Sequence, residues 1–283
     1  MDRITNFLKL DETDNSVAIE ILSGIVICFV IWIVWIIIKM AITKVSNTSN
    51  DAPVIFSGYV DAQKPRIAVQ DPNYEGSITL PRSLNENGLE YSYSVWMWID
   101  GSTWDGSKKW RHVFHKGPTL SSTTKNVLPH ESNEIMCPGL WLSPIDNTLR
   151  LYVNTFNSVR EYVDISNLPI KKWINLIYTQ SNFTSNVYIN GRLKTTHTLQ
   201  SLPRQNYYDL HITQKGGFKG YLSKMQYYNY VIDPGTIYDI ANRGPNLVKQ
   251  QDKQTKKDSD EAYLTSNLPY LSNRWWVDDL TLN

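Results

Sequence analysis

From about Pro53 to Asn246, apolar and polar residues alternate with period two. Short clusters of Pro, Gly, Asn and Asp interrupt the pattern, and helical periodicity is almost absent. This pattern predicts an all-β domain. In one stretch Tyr93, Val95, Met97 and Ile99 alternate with Ser94, Trp96 and Trp98, so both faces are largely apolar and the strand belongs in the middle of a sheet. Further strands are expected at Arg111–Lys116, at Gly139–Leu142 and around Leu149, Leu151 and Val153, with Ser143 to Thr148 as the turn of a hairpin. Trp173–Gln180 and Ser185–Ile189 follow, and Asn190-Gly191 then supplies the two positive-φ residues of a type I′ turn into Arg192–Leu199. In the last expected strand, Gly220–Tyr230, Tyr221, Ser223, Met225 and Tyr227 alternate with Leu222, Lys224, Gln226 and Tyr228. Asp233 as N-cap, Pro234 in the first turn, an apolar face of Ile237, Ile240 and Ala241, and Gly244-Pro245 as the stop predict one short closing helix. Many short strands at this spacing predict a two-sheet jelly-roll sandwich over residues 53–246.

The N-terminal pattern is different in kind. Ile21 to Ile38 is apolar but for Ser23 and carries no charge, and with its flanks (residues 17–42) it covers the roughly 30 Å hydrocarbon core as a helix rising about 1.5 Å per residue. A cleavable signal has a shorter apolar region and a small-residue cleavage site, and a helix buried in a soluble core has a polar stripe; this segment has none of these. A single transmembrane helix is therefore expected, preceded by a polar segment (residues 1–16) and followed by a Ser, Asn and Thr-rich linker (43–52). After the sandwich, residues 247–262 are charged and poor in apolar side chains from Lys249 to Glu261, as a linker would be. Residues 263–283 form an aromatic tail in which Tyr263, Tyr270, Trp275 and Trp276 either pack back on the domain or dock on a partner.

A formal charge of +1 gives no electrostatic footing for nucleic acid. The two cysteines lie in different surroundings, Cys28 within the apolar segment and Cys137 in the sandwich, so no intrachain disulfide is expected. That favours a cytosolic-facing domain. Lys39 and Lys44 after the apolar stretch are nearly balanced by Arg3 and Lys9 before it, and glycosylation acceptor patterns at Asn47 and Asn182 point the other way.

Several segments, in this order, resemble the concanavalin A-like lectin and glucanase superfamily in its laminin G-like and pentraxin-like branch. They are Tyr93-Ser-Val-Trp-Met-Trp-Ile99; Val163 to Trp173 with the strand that follows; Asn186-Val-Tyr-Ile-Asn-Gly191; and Gly216 to Tyr228 leading into Asp233-Pro234. The resemblance covers roughly Pro53 to Asn246 and implies a two-sheet jelly roll. It does not by itself assign a function.

Glycosidases of that superfamily usually carry a Glu-x-Asp-x-Glu run that sets two carboxylates on one strand face, and no such run occurs here. Glu161 and Asp164, three apart, are expected on opposite faces; Glu131 and Glu134 fall in a loop; and Asp258, Asp260 and Glu261 fall in the charged linker. No catalytic residues and no enzyme activity are expected. His112 and His115 have the same odd spacing, which predicts opposite strand faces and no metal site. The resemblance implies calcium as a conceivable ligand, with Asp146 and Asn147 as candidates, although Asp-Asn is turn chemistry in its own right. Cys137 has no activating neighbour in sequence. Glycan stacking, if present, is expected of Trp104, Trp110 and Trp141, which lie near loops.

Two functions follow. One is a membrane-anchored structural protein whose partners are the lipid bilayer and membrane-proximal proteins. The Asn, Ile, Tyr and Lys-rich usage behind an uncleaved anchor resembles proteins of large DNA viruses, which places it as a minor capsid protein on a virion's internal membrane, facing the shell. The other is a membrane-tethered lectin whose partners are glycans.

Overall fold

The computed structural model describes residues 22, 24–37, 51–83, 88–120, 135–159 and 161–250. These fall into two units, residues 1–50 and 51–283, each described by itself. In the first, residues 24–37 are helical (α1). Its large apolar side chains other than Ile36 are exposed, from 39% at Ile33 to 63% at Ile31, and Phe29 stacks on Trp32 with ring centroids 5.9 Å apart. Among the described residues no helix is long and apolar enough to cross a membrane; the ends of the expected 17–42 span lie outside them.

The second unit is the expected sandwich. Its strands are β1 (Val54–Asp61), β2 (Arg66–Ala68), β3 (Glu90–Ile99), β4 (Arg111–Lys116), β5 (Gly139–Leu142), β6 (Leu149–Val153), β7 (Glu161–Ile165), β8 (Trp173–Ser181), β9 (Thr184–Ile189), β10 (Arg192–Thr198), β11 (Leu210–Ile212) and β12 (Gly220–Tyr228). One six-stranded sheet runs β1-β12-β3-β8-β9-β10 and the other β2-β11-β4-β5-β6-β7, with every strand pair antiparallel. The stretch expected to be central is central: β3 lies between β12 and β8. Tyr93, Val95, Met97 and Ile99 face inward and share one core with Leu140, Leu142, Leu149 and Leu151 of the opposing sheet. Burying such side chains is worth about 1.5–3 kcal/mol each, which is the term that holds the layers together. Asn190 (φ 50°) and Gly191 (φ 76°) make the expected turn between β9 and β10.

Two strands depart from simple alternation. In β4 the pairing to β5 skips Val113, so Val113 and Phe114, adjacent in sequence, both enter the core. In β12 Lys224 adopts φ 45° at a register shift, so that Leu222 and Met225 both face inward. Each is a β-bulge, one extra residue that throws the alternation out of phase.

The outer face of the first sheet is covered. The closing helix α2 (Pro234–Arg243) is capped by Asp233, which accepts from the Thr236 N–H, and it lays Ile237 against Ile177, Tyr228 and Ile232. Beyond it, Leu247 lies over Trp96, Trp173, Tyr59 and Trp98, and the backbone at 248–250 runs parallel to β1 at Tyr59. The first residues of the expected 247–262 linker therefore lie along the sheet, and residues 251–283 lie outside the described part.

Candidate functional site

One end of the sandwich opens into a cleft of ≈510 Å³. Its floor is made by buried core side chains at the strand ends: Tyr91 and Tyr93 of β3, Tyr227 of β12, and Cys137 ahead of β5. These groups are tied down. The Tyr227 hydroxyl donates to the Pro81 carbonyl at 2.7 Å, and the Tyr91 hydroxyl lies 3.6 Å from Cys137 Sγ and 3.3 Å from the Tyr178 hydroxyl. Burial raises the pKa of Tyr91 and pushes the Cys137 thiol up to about 12.

One wall is the segment after β2, stitched by Gln70. Its side-chain amide donates to the Ala68 and Ile78 carbonyls, its Oε1 accepts from the Leu80 N–H, and its own N–H donates to Asp209 Oδ1 across the cleft mouth. The other wall is the segment before β11. Asn206 Nδ2 donates to the Lys116 carbonyl while its Oδ1 accepts from the Tyr208 N–H, a side-chain-to-backbone turn that fixes the two tyrosines outward. Tyr207 is 74% exposed and Tyr208 48%. Arg82 reaches across from the first wall: its guanidinium lies 5.0 Å from the Tyr207 ring centroid, Nη1 donates to the Tyr207 hydroxyl, and Nε donates to Gln205 Oε1. Lys116 stands below, 8% exposed, with Nζ donating to the Tyr208 carbonyl at 2.6 Å. Burial lowers its pKa to about 8, against a smaller raising effect of Asp209.

The residues expected from sequence lie elsewhere. Trp104 caps the 3-10 turn after β3, packs against the edge of the main core and donates from Nε1 to the Ser143 carbonyl. Trp110 and Trp141 come together on the outer face of the second sheet with Leu120, Met136 and Tyr152. Trp141 is 4% exposed and donates to Met136 Sδ, which leaves it no open ring face for a sugar. Trp110 carries the Arg150 guanidinium 4.7 Å from its ring, and Arg150 is also held by a bidentate pair with Asp164. Hydrogen bonds from Ser143 and Thr148 lower the pKa of Asp146, and Asn147 donates to the Leu168 carbonyl. These are the contacts of a turn. Among the described residues no group of three or more His, Cys, Asp or Glu is arranged to hold a metal ion. Tyr263, Tyr270, Trp275 and Trp276 lie outside the described residues.

His112 and His115 are a correction. They do not face opposite ways: the bulge at Val113 returns both to the outer face, where their rings hydrogen-bond at 2.8 Å. Glu161 and Asp164 do separate, the first toward His197 and the second toward Arg150. The cleft residues Arg82, Tyr207 and Tyr208 were missed. The available signal was Gln205-Asn-Tyr-Tyr-Asp209, two adjacent aromatics in a polar loop with no strand alternation to bury them.

A family model described as the concanavalin A-like lectin/glucanases superfamily matches residues 71–238, more than half of the chain. The chain belongs to this superfamily. The match lies inside the region of the resemblance and takes in both walls of the cleft except Gln70. No curated protein matches this superfamily member. Among solved structures, botulinum neurotoxin type C, whose cell entry depends on two ganglioside molecules, is similar at TM-score 0.44 and 11% identity over 70% of this chain and 52% of its own. The botulinum neurotoxin serotype D ligand binding domain in complex with N-acetylneuraminic acid is similar at 0.43 and 11% over 69% and 52%. A Trypanosoma rangeli sialidase is similar at 0.38 and 12% over 54% and 22%. The chain thus spans about half, or less, of each of these solved chains.

Proposed function

We propose that this lectin-superfamily member is a membrane-anchored glycan-binding module that takes sugar in the cleft between the Gln70–Arg82 and Gln205–Asp209 walls. The observation that carries the reading is the cleft mouth: Tyr207 is exposed and already backed on one side by Arg82, so its other face is open to stack on a sugar ring. Superfamily membership supports a saccharide ligand, and the lack of a Glu-x-Asp-x-Glu run in the sequence favours binding over chemistry. The broad apolar exposure of α1 supports the anchor, since a helix in water would hide such a surface. The capsid-linking role expected from sequence gains nothing from the family match or the cleft.

The full chain, purified in mild detergent, is expected to bind a subset of sugars on a glycan array, and Tyr207→Ala with Tyr208→Ala is expected to abolish that binding without lowering the thermal midpoint. An array with no bound sugar, or full binding by the double variant, would sink the reading. For the anchor, the full chain is expected to float with phosphatidylcholine vesicles; recovery in the aqueous phase without detergent would refute it.

A further inference from the structure

We infer, resting on the glycan reading of the cleft, that its ligand is a saccharide carrying a carboxylate, and that Lys116 is the residue that receives that carboxylate. An ammonium has three N–H donors, and Lys116, almost wholly buried, has spent one on the Tyr208 carbonyl. Among the described residues no carboxylate lies within 4.0 Å of the Lys116 ammonium. Asp209 acts on it from farther off and commits Oδ1 to the Gln70 N–H. Keeping a cation buried without a close counter-charge is costly, and an anionic ligand group removes that cost by supplying the acceptor.

The other polar groups of the cleft complete the assignment. The floor hydroxyls of Tyr91 and Tyr227 are satisfied within the protein, and Asp71, like Asp209, uses Oδ1 for a backbone N–H, that of Asn73. The second oxygens of Asp71 and Asp209 are acceptors for sugar hydroxyls, and among the cleft's donors only Lys116 and Arg82 carry positive charge. A neutral sugar meets the acceptors and the Tyr207 face, and its hydroxyls can accept from Lys116, but it brings no counter-charge to the buried ammonium. An acidic sugar meets all three.

The test uses the full chain in detergent and oligogalacturonate and sialyllactose, each arrayed beside its methyl ester. The ester keeps the sugar and removes the charge. The expected result is tighter binding of acid than ester by roughly 10- to 100-fold, the factor of one charge-assisted hydrogen bond, with that preference lost in Lys116→Met and kept in Lys116→Arg. Equal binding of acid and ester, or no binding of either acid by a chain that binds other sugars, overturns this inference and leaves the glycan reading standing, whereas no binding of any sugar on the full glycan array removes the glycan reading itself. A preference that survives in Lys116→Met overturns the role of Lys116. Should Lys116→Met fail to fold, acetic anhydride labelling of the wild-type chain reads the same contact: Lys116 is expected to be protected by the acid and not by the ester, and equal labelling overturns the assignment.

Discussion

His112 Nε2 stands 2.8 Å from His115 Nδ1, and the backbone on either side decides which of them holds the proton. The Gln214 N–H donates to His112 Nδ1 at 2.8 Å, so that nitrogen presents a lone pair and the proton of the neutral ring sits on Nε2. His112 then donates to His115 Nδ1, and His115 Nε2 lies 3.0 Å from the Pro118 carbonyl, to which it donates. The His115 ring also stacks on His211 with centroids 4.9 Å apart and planes 15° from parallel. The result is a relay of neutral imidazoles that ties β4 to the turn at 214–216 and to the segment after Lys116. It is not a metal site, because His112 has both nitrogens committed.

A second proton on either ring would set N–H against N–H. Burial, reinforced by the other histidines and Lys215, holds His112 well below the usual imidazole range and lowers His115 to about 4. The Pro118 hydrogen bond pulls the other way on His115, and of the three histidines Asp209 pulls up only His211, whose own pKa burial lowers. Because the unfolded chain binds its protons near pH 6.5, it carries more of them than the folded chain as pH falls below that value. Stability present above pH 6.5 is therefore lost as pH drops toward 4, by on the order of 3 kcal/mol for His115 alone. Urea midpoints measured from pH 7.5 to 4.5 are expected to fall, and the double variant His112→Gln, His115→Gln should show a clearly shallower slope. Equal slopes in the two proteins would refute the relay as the acid-sensitive element.

The histidine pair also shows where sequence reading stops. The central strand β3, the Asn190-Gly191 turn and the capped helix α2 were legible because each is set by local chemistry: alternation, positive φ, or an N-cap with proline behind it. The bulges at Val113 and Lys224 were not legible, since an extra residue is selected by the partner strand and leaves no local mark. Short β11 and the half-polar edge strand β7 carry too little pattern to stand out. The cleft draws its residues from positions 70 to 227, and no spacing rule links Arg82 to Tyr207. The tryptophans drew attention by size, and size is what the fold uses in Trp141.

Trp141 is expected to matter for stability and not for sugar. It packs on Met136, Leu120 and Tyr152 and meets the His112 ring edge-on with centroids 4.6 Å apart. Trp141→Ala should cost about 3–5 kcal/mol of unfolding free energy, while Trp141→Phe should fold and retain whatever glycan binding the parent has. Loss of binding in a stably folded Trp141→Phe would move the site to the outer face of the second sheet.

Cys137 is expected to be inert until the sandwich opens. With its pKa pushed up to about 12 by burial, roughly one thiol in ten thousand is thiolate at pH 8. In a Cys28→Ser background the folded chain should not react with Ellman's reagent over an hour at pH 8 and should react fully in urea. Rapid native labelling would show that the cleft floor opens on that timescale.

Gly58 tests whether the segment at 247–250 belongs to the domain. Tyr59 N–H donates to the Val248 carbonyl at 2.8 Å, Gln250 N–H returns to the Tyr59 carbonyl at 2.9 Å, and Gly58 N–H donates to Gln250 Oε1 at 2.9 Å. A Cβ at position 58 would meet the Val248 carbonyl oxygen at 2.5 Å and the Gln250 nitrogen at 2.8 Å, both backbone atoms with no side chain to yield. Gly58→Ala should therefore lift the segment from β1 and uncover Trp96, costing about 1–3 kcal/mol for the lost hydrogen bonds and the Leu247 contact. In a chain ending at Asn246 there is nothing to clash with, so the same substitution should be close to neutral. Urea unfolding of the four proteins closes a double-mutant cycle. A coupling near zero would mean that the domain ends at Asn246, whereas the expected coupling, of the same size as the cost in the full chain, makes residues 247–250 part of its sheet.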